Sequence, residues 1–434
     1  MKLPASFLPF LLLLAACNGS SPRMPDAARP SQPLADTTLQ LPAGFRAYVV
    51  VDSLAPRTRH LVVRDNGDIY VQFDRLKNGK SSAALRDENG DHRADRIEYF
   101  GNHPGTGIDI YRGYLYVSSD EAVYRYPLPE DALLPDEAQR VLIAGGFPEQ
   151  REHASKTFTF DEQGHLYVNV GAPSNACMEQ HRTAGSRGLD PCPQLERQAG
   201  IWRFDAAQLA QTQTQNGYRY ASGIRNAVAL AWNHSTNSLF VVMHGRDQLS
   251  QFWPDLFSPE QNAELPAEEF FEVQDGDFMG WPYCYYDPLK KKKVLAPEYG
   301  GNGEIQGRCG DAKDPLLAFP AHLAPNDLLF YEATQFPEKY RQGAFIAFHG
   351  SWNRAPLPQK GYLVAFVPFR EGRPVGGWEI FAEGFAGGQD IASPGQARHR
   401  PCGLALGPDG SLYISDSVQG KIWKVVYEGP KKES

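Results

Sequence analysis

The sequence has little of what marks a membrane-spanning, nucleic-acid-binding or helical protein. Beyond the apolar segment at residues 7–16, no run of apolar residues reaches the length of a membrane span. Lys and Arg number 43 against 51 Asp and Glu, a formal charge of −8, which argues against nucleic acid as a partner because phosphates are bound by basic surfaces. Helical periodicity is scarce, whereas 41 Gly and 34 Pro indicate many turns. The chain contains no C-x-x-C-H sequence and so has no haem attachment of that type.

The N-terminal segment predicts export. Residues 7–16 form an apolar run behind Lys2 that is too short for a membrane span but typical of a secretory signal. The run ends in Leu14-Ala15-Ala16-Cys17, which resembles the lipobox of bacterial lipoproteins. The alternative is ordinary signal cleavage with a chance cysteine. We therefore expect a protein of the cell envelope, periplasmic or at the outer membrane, whose membrane contact is a lipid on Cys17.

This interpretation divides the chain into three parts. We expect a signal peptide at 1–16, a polar and Pro-rich tether at 17–38 that begins with the lipidated cysteine, and a single domain at 39–429. Within that domain, residues from about 250 to 330 predict a long insertion.

Export bears on the cysteines, because an oxidising compartment permits disulfides. With Cys17 lipidated, proximity pairs Cys177 with Cys192 and Cys284 with Cys309 across two loops. Cys402 is then left over, as a small buried hydrophobe.

A repeated pattern runs through the domain, a turn residue followed by alternating apolar residues. The segments begin at Gly67, Gly113, Gly164, Asn237, Gly343 and Gly410. Several follow another short apolar strand, as in a β-hairpin. Radially repeated hairpins predict an all-β fold, a six-bladed β-propeller with a long loop insertion. The alternative is a β-sandwich with irregular hairpins.

Polar clusters recur at the ends of these strands. They are Glu152-His153, residues 222–226, residues 243–247, residues 349–354 and residues 398–401. A single His or Arg at such a place is more often structural than functional, but the recurrence predicts convergence at one mouth of the propeller. Several cations in an acidic protein then imply an anionic ligand held by forked arginine contacts.

Five motifs carry a resemblance to a known family. They are residues 153–171, Arg225-Asn226, residues 276–282, residues 349–354 and residues 398–401. In this order and spacing they make the chain similar to the soluble quinoprotein sugar dehydrogenases. This is the glucose/sorbosone dehydrogenase family, which includes the pyranose dehydrogenases that depend on pyrroloquinoline quinone (PQQ).

The resemblance implies a reaction and two catalytic residues. An aldose, pyranose or sugar aldehyde would be oxidised by hydride transfer to PQQ, and electrons would pass to an external acceptor. His153 would be the general base toward the anomeric hydroxyl of the sugar. Arg225 would stabilise the negative charge that develops on the quinone oxygen.

The resemblance also implies contacts to PQQ and to a Ca²⁺ ion bound to it. The cofactor-binding residues would be Arg225, Asn226, Arg398, Arg400, His349, Gly245 and Arg246. Of these, Gly245 and Arg246 would bind Ca²⁺ through backbone carbonyls, the hard oxygen ligands that this ion prefers.

Two positions depart from the glucose enzymes of that family. Glu152 precedes the base where those enzymes have Asp, so the orientation of the base is open. His349-Gly350-Ser351-Trp352 stands where they have a Lys near the quinone, and this version resembles the pyranose and sorbosone branch. His349 therefore contacts either cofactor or substrate, and Trp352 either stacks on a ligand or packs.

A second metal candidate is the acidic segment at residues 87–98. Its oxygen-bearing side chains follow calcium-loop spacing, and they belong to Asp87, Asn89, Asp91, Asp95 and Glu98. The glycine usual at the sixth place is His92, and the flanks do not indicate a helix pair. The alternative is a solvated acidic hairpin.

The sequence leaves other function classes open. A non-catalytic propeller lipoprotein that binds a sugar or a protein partner is the main alternative. A propeller hydrolase using calcium at the mouth is a third, and the arginines speak against it because such a site needs converging carboxylates.

Overall fold

The structure, a computed structural model, describes Met1, Pro33 and residues 35–388 and 390–429. The predicted signal segment and Cys17 lie outside the described residues. Ordered strand structure begins at β1 (Ala35–Asp36), before the predicted end of the tether at residue 38. The reason is that the Asp36 carboxylate accepts hydrogen bonds of 2.8 Å from both Lys421 Nζ and Trp423 Nε1 of the last strand region. In the described part of the chain, no helix is long and apolar enough to cross a membrane.

The first half of the domain contains three antiparallel blades. After β2 (Phe45–Val51), blade 1 consists of β3 (Thr58–Val63), β4 (Ile69–Lys77), β5 (Lys80–Arg86) and β6 (Arg96–Phe100). Blade 2 consists of β7 (Ile108–Tyr111), β8 (Tyr114–Ser118), β9 (Val123–Pro127) and β10 (Val141–Gly145). Blade 3 consists of β11 (Phe158–Phe160), β12 (His165–Val170), β13 (Gly200–Asp205) and, after β14 (Gln211–Thr212) and helix α1 (Gln213–Asn216), β15 (Tyr218–Ser222). The short strand β14 pairs in parallel with β10.

The second half contains three more blades. Blade 4 begins with β16 (Ala229–Asn233) and β17 (Ser238–Met243). Helices α2 (Leu249–Phe252) and α3 (Pro259–Glu264) lead to its third strand, β18 (Glu268–Val273). A separate hairpin of β19 (Cys284–Asp287) and β20 (Lys292–Leu295) precedes its fourth strand, β21 (Leu317–Phe319). Blade 5 consists of β22 (Pro325–Phe330), β23 (Gly343–Phe348), β24 (Leu363–Arg370), the short β25 (Arg373–Pro374) and β26 (Glu379–Ala382). Blade 6 consists of β27 (Pro401–Leu406), β28 (Leu412–Asp416) and β29 (Ile422–Tyr427). Short 3-10 helices lie at Glu137–Gln139, Pro193–Glu196, Pro297–Tyr299, Gly307–Asp311, Glu338–Tyr340 and Pro394–Gln396.

The blades form a closed ring. The first strand of each blade lines the axis, and these inner strands contact their neighbours in the order β3, β7, β11, β16, β22, β27 and back to β3. The ring closes because β2 pairs with β29 as the outer strand of blade 6, with Val49 opposite Trp423. The predicted six-bladed propeller is confirmed, and the β-sandwich alternative is wrong.

Each repeated segment marks the same place in its blade. The residues at Gly67, Gly113, Gly164, Asn237, Gly343 and Gly410 lie at or just before the start of the second strand. Gly67 and Gly410 have φ values of 91° and 81°, a backbone region that side chains with a Cβ rarely occupy. The hairpin chemistry read from the sequence therefore sets the turn between inner and second strands.

Apolar side chains from facing blades form the core between them. Around Phe45 of β2, the rings of Phe336 and Phe381 pack edge to face, with centroids 4.7 and 5.1 Å away. Phe336 and Phe381 are buried, and Phe345 of β23 packs against Phe381 at 4.7 Å. Aromatic pairs of this kind add about 1 kcal/mol each beyond their burial, so they hold blades 5 and 6 together.

The predicted insertion at about 250–330 is two insertions. One covers residues 244–267 with α2 and α3, and the other covers residues 274–316 with the β19–β20 hairpin. Between them runs β18, which is the third strand of blade 4 because its buried Phe270 and Phe271 pair with β17. Strand β22, near the end of the predicted range, belongs to blade 5.

Both predicted disulfides are present. Cys177 bonds to Cys192 and Cys284 bonds to Cys309, and Cys402 is a free, buried thiol as expected. The two bridges share one apolar cluster, so they join the loop after β12 to the second insertion.

Candidate active site

The mouth is the end of the propeller at which inner strands begin and second strands end. Because neighbouring strands are antiparallel, residues that precede an inner strand and residues that follow a second strand meet there. Residues 152–153, 222–226 and 398–401 precede or begin inner strands, whereas 243–247 and 349–354 end or follow second strands. The structure thus places all five polar clusters at the mouth end.

A chain of hydrogen bonds crosses the mouth from blade 1 to blade 4. Arg59 Nε donates to Thr106 Oγ1 at 3.1 Å, and that hydroxyl lies 3.0 Å from Ser155 Oγ. Asn169 Nδ2 donates to Ser155 O at 3.2 Å and to Asn226 Oδ1 at 3.3 Å. This bond to Oδ1 fixes the orientation of the Asn226 amide, and its Nδ2 donates to no other residue in the described part of the chain.

His153 is a neutral imidazole with a defined tautomer. Its Nδ1 lies 2.7 Å from the carbonyl oxygen of Ala172, which only accepts, so Nδ1 carries the proton and Nε2 keeps a lone pair. Burial, and then the charge of Arg225, lower the pKa of His153 to about 3. At neutral pH the Nε2 atom can therefore accept a proton.

Arg225 is a buried cation whose charge is compensated by the protein. The residue is 3% exposed, and its Nη2 donates to Asp247 Oδ2 at 2.8 Å and to Asn175 Oδ1 at 3.0 Å. The Asp247 amide donates to the same Asn175 oxygen at 2.9 Å, which closes the network. Although burial opposes it, the guanidinium holds the pKa of Asp247 well below its usual value.

Arg400 is held by neutral groups instead. Its Nε donates to His349 O at 2.9 Å, its Nη2 donates to Gly350 O at 2.7 Å, and its guanidinium lies 5.6 Å from the ring centre of Tyr362. His349 Nε2 lies 2.7 Å from Ser417 Oγ, and burial together with Arg400 holds its pKa well below the usual value. Within the described ranges, no carboxylate forms an ion pair with the Arg400 guanidinium.

A cavity of about 330 Å³ opens at the mouth between blades 1 and 6. Arg57, Arg59 and Arg400 line it. The carboxylate among its lining residues belongs to Asp74, which pairs with the exposed Arg57 at 3.1 Å. For Arg59, no ion-pair partner exists among the residues that the structure describes. The cavity is therefore positively charged in a protein of net charge −8, as an anionic ligand requires.

Arg398 does not share this cavity. It is exposed and lines a separate cleft beside Gly387. Between the two arginines, the buried His399 directs Nδ1 to Asp416 Oδ2 at 2.9 Å, and the Arg400 amide donates to Asp416 Oδ1 at 2.8 Å. The structure thus brings Arg400, but not Arg398, to the residues of blade 1.

Gly245 and Arg246 follow β17 and present their backbone at the mouth. The Gly245 amide donates to Glu268 Oε2 at 2.7 Å, and a Cβ at this glycine would lie 2.9 Å from Ala267 O. The Arg246 side chain points away and pairs with Glu298 at 2.5 Å. No described residue donates to the carbonyl oxygen of Gly245 or Arg246, so both oxygens are available to a cation.

The acidic segment at residues 87–98 lies elsewhere. It joins the ends of β5 and β6 that face away from the mouth. Asp87 accepts hydrogen bonds from the amides of Asn89, Gly90 and His92, and Asp95 accepts from Glu88 N and Asn89 Nδ2. Asn89 Oδ1 accepts from Asp91 N, and Asp91 Oδ1 accepts from Arg93 N.

These contacts give no support to a calcium loop. The predicted twelfth-place ligand, Glu98, lies in β6 and pairs with Arg96. Over the described ranges, no group of three or more His, Cys, Asp or Glu side chains has an arrangement that could hold a metal ion. Calcium binding by this segment stays a prediction.

The axial channel below the mouth contains three titratable groups whose pKa values are shifted by burial. It encloses about 290 Å³, and its lining includes His60, Asp109 and Asp327. Burial lowers the pKa of His60 to about 3, raises that of Asp109 to about 6 and raises that of Asp327 to about 8. At pH 7, His60 and Asp327 are therefore mainly uncharged, whereas Asp109 is mainly ionised.

Sequence reasoning missed several residues of the mouth. Arg59 carried a usable signal, because it begins the inner strand of blade 1 just as Arg400 precedes that of blade 6. His244 was seen only as part of its segment, yet its Nδ1 is buried and has no hydrogen-bond partner among described atoms. Asp247 was likewise named only within the cluster at residues 243–247, and Asn175 carried no signal, since only the fold brings the two residues to Arg225.

Known proteins resemble this chain over most of its length. Residues 39–428 match the TrAA12-like family model. The chain belongs to the TrAA12-like family. This TrAA12-like chain is 26% identical, over 91% of its length, to a pyrroloquinoline quinone-dependent pyranose dehydrogenase of Coprinopsis cinerea, of which it spans 55%. It is also 22% identical to an uncharacterized protein of Borreliella burgdorferi, over 90% of this chain and 92% of that protein.

Solved structures share the fold of this TrAA12-like chain. The holo form of the PQQ domain of the Coprinopsis cinerea pyranose dehydrogenase superposes with a TM-score of 0.71 at 20% identity, covering 91% of this chain and 98% of that one. A calcium structure of the Trichoderma reesei AA12 enzyme gives a TM-score of 0.71 at 19% identity, covering 91% and 97%. The PQQ-bound aldose sugar dehydrogenase of Streptomyces coelicolor gives 0.53 at 16% identity, covering 89% and 99%. The predicted family resemblance is confirmed.

Proposed function

We propose that this protein is a PQQ-dependent dehydrogenase that oxidises an aldose, a pyranose or a sugar aldehyde and passes electrons to an external acceptor. The similarity to a PQQ-dependent pyranose dehydrogenase and to an aldose sugar dehydrogenase supports this proposal. The observation that carries it is the positive cavity, in which Arg59 and Arg400 have no carboxylate partner among the described residues. A tricarboxylate such as PQQ would supply the negative charge that balances these two guanidinium groups.

The residues present at the mouth fit the cofactor. Arg59, Arg400 and the amide of Asn226 would hold its carboxylates and ring oxygens. The Nδ1 of His244, which has no hydrogen-bond partner among the described atoms, would offer one more polar contact. When bound, PQQ supplies the two-electron acceptor for the sugar. Arg398 is exposed in another cleft, so its predicted contact depends on movement of the loop that carries it.

Calcium would be held by the same part of the mouth. The free carbonyl oxygens of Gly245 and Arg246 are hard ligands that suit this ion, and cofactor oxygens would complete its coordination. The bond from the Gly245 amide to Glu268 fixes the direction of the peptide chain at that point.

The residues of the chain perform the proton chemistry. The Nε2 lone pair of His153 would take the proton from the anomeric hydroxyl, while the Nδ1 bond to Ala172 keeps the required tautomer. Arg225, buried and fixed by Asp247, would stabilise the negative charge that develops beside it. His349 is held neutral and lines the positive cavity, where it would contact cofactor or substrate.

The expected location is part of the proposal. We propose a lipid-anchored protein of the cell envelope, since an apolar segment precedes Cys17 and two disulfides stabilise the mouth loops. Incorporation of radiolabelled palmitate into the full chain, lost in Cys17→Ser, is the expected result. Equal labelling of both proteins would contradict it.

One experiment tests the enzyme proposal. The apo-protein is titrated with PQQ in the presence of Ca²⁺, followed by tryptophan fluorescence, and then assayed by dye reduction with a panel of aldoses, pyranoses and sugar aldehydes. We expect saturable binding and dye reduction with at least one class of sugar. Absence of PQQ binding would overturn the proposal in favour of a non-catalytic propeller. Omission of Ca²⁺ serves as the matched control for the metal.

A further inference from the structure

Gln150 makes an unusual set of contacts next to His153. Its side-chain Nε2 lies 2.8 Å from Glu152 O, 2.9 Å from His153 O and 3.0 Å from Gly171 O. A primary amide has two hydrogens, so the three carbonyl oxygens share them. Its own Oε1 accepts a bond of 3.0 Å from Gln198 Nε2, which fixes the orientation of the amide.

The backbone of His153 needs such support. Its φ is 52°, in the left-handed region, which costs about 1 kcal/mol for a residue with a side chain. The bonds to Gln150 also bring carbonyl oxygens of 152, 153 and 171 around one point, where they would repel one another without a donor between them. The conformation of the base segment therefore depends on that amide.

The segment lies directly on the backbone at Gly171. A Cβ on Gly171 would lie 2.6 Å from His153 Cβ and 2.9 Å from Asn226 Oδ1, closer than real contacts allow. The imidazole bonds to the carbonyl of Ala172, the next residue. Gln150 thus links the backbone of His153 to Gly171, and the His153 ring bonds to Ala172, so both parts of the residue are held by the two residues that follow β12.

We propose that Gln150 is the positioning residue for the base His153, holding its strained backbone so that Nε2 faces the substrate at a fixed place. The proposal rests on the proposed function only for the identity of the base. The clamp itself, defined as the bonds from Gln150 to residues 152, 153 and 171, belongs to the apo-protein.

The test compares Gln150→Glu with a matched control, Gln211→Glu. Gln211 makes the same kind of contact far from the mouth, with Nε2 at 2.7 Å from Asp205 O, 3.0 Å from Gln208 O and 3.4 Å from Ile143 O. In each variant a carboxylate replaces the donor among three carbonyl oxygens. We expect kcat of the PQQ-loaded Gln150→Glu enzyme to fall about 100-fold, the size of effect that a displaced catalytic group produces. PQQ affinity and KM should stay as in the wild type, and Gln211→Glu should retain its kcat.

A second variant and a second measurement keep the result clear. Gln150→Met removes the donor without adding charge and should also lower kcat without changing PQQ affinity. Hydrogen exchange of the apo-proteins should accelerate at amides 150–155 and 171–172 in both Gln150 variants, and only around 205–212 in Gln211→Glu. Unchanged exchange at 150–155, or a kcat equal to that of the control, would overturn the clamp. Absent PQQ turnover in the wild type would refute the proposed function alone, because the exchange measurement needs no cofactor.

Discussion

Arg225 and Arg400 approach one mouth from blades 4 and 6, yet the protein holds them in opposite ways. Arg225 is 3% exposed and paired at 2.8 Å with Asp247. Among the described residues, the Arg400 guanidinium donates to the carbonyls of His349 and Gly350, and it lies against the ring of Tyr362. One charge is compensated before any ligand arrives, and the other is not.

The difference assigns different tasks to the two sides. The Arg225 side is braced by Asn175, whose carbonyl also accepts a bond of 3.0 Å from Trp281 Nε1 in the second insertion. A group fixed in this way suits charge that develops during a reaction. The Arg400 side, with Arg59, keeps an unbalanced positive charge, which suits a permanent anion.

The largest expected effect concerns the base on the Arg225 side. His153→Ala should lower kcat about 1000-fold, because it removes the Nε2 proton acceptor, while PQQ affinity stays unchanged. Dye-reduction kinetics and a PQQ titration check this. His234→Ala, an exposed histidine paired with Glu162, is the control. If PQQ affinity fell as much as kcat, His153 would be a cofactor-binding residue and not the base.

Next comes the ion pair that distinguishes the two arginines. Asp247→Asn should lower the free energy of unfolding by about 3 kcal/mol, because it leaves Arg225 buried without its counter-charge. Asp74→Asn removes the partner of the exposed Arg57 and should cost less than about 1 kcal/mol. Urea unfolding measures both. Equal losses would remove the contrast between a compensated and an exposed cation.

A smaller effect is expected on cofactor affinity at the Arg400 side. Arg400→Ala should weaken PQQ binding about tenfold, the value of about one hydrogen bond to a charged group. Arg341 also donates to a backbone carbonyl, Phe336 O, but lies away from the mouth, so Arg341→Ala should bind PQQ normally. Arg398→Ala decides between its predicted role and its observed place in a separate cleft, and we expect no change in the titration.

The smallest effect is a pH dependence of the apo-protein. The pKa of His153 is about 3 when folded, against 6.5 for an ordinary histidine, so the unfolded chain binds a proton in this interval that the native protein does not. Stability should therefore be complete above pH 6.5 and decrease as the pH falls toward 3. His153→Asn should reduce the loss between pH 7 and pH 5.5 by about 1 kcal/mol in urea unfolding. Identical pH slopes in both proteins would contradict the buried, neutral state.

Local patterns were sufficient to predict most of the fold. A hairpin turn and its two strands are neighbours in sequence, so turn residues such as Gly67 and Gly410 were enough to predict the repeated hairpins. The disulfides joined cysteines close in the chain. The two insertions were predicted as one because the strand between them, Glu268–Val273, is short and has no turn signal of its own.

The candidate site was predicted only to the level of strand ends. The positions of Arg225, Asn226 and Arg400 followed from their place before inner strands. Arg398 shows the limit of such a prediction. It is only two positions from Arg400, yet the two side chains line different clefts. The direction of each side chain depends on the backbone at that residue, which bonds to the neighbouring strand of the same blade fix, such as that from His399 to Asp416 at the end of β28.

The sequence by itself determined the repeated hairpins, the cysteine pairs and the excess of arginine at strand ends, since each depends on residues close together in the chain. The tertiary structure alone decided that Asp247 neutralises Arg225, that Arg59 joins Arg400, and that Gln150 supports His153. The physical reason is ring closure. Pairing of β2 with β29 brings the first blade against the last, so charges from both ends of the chain share one cavity.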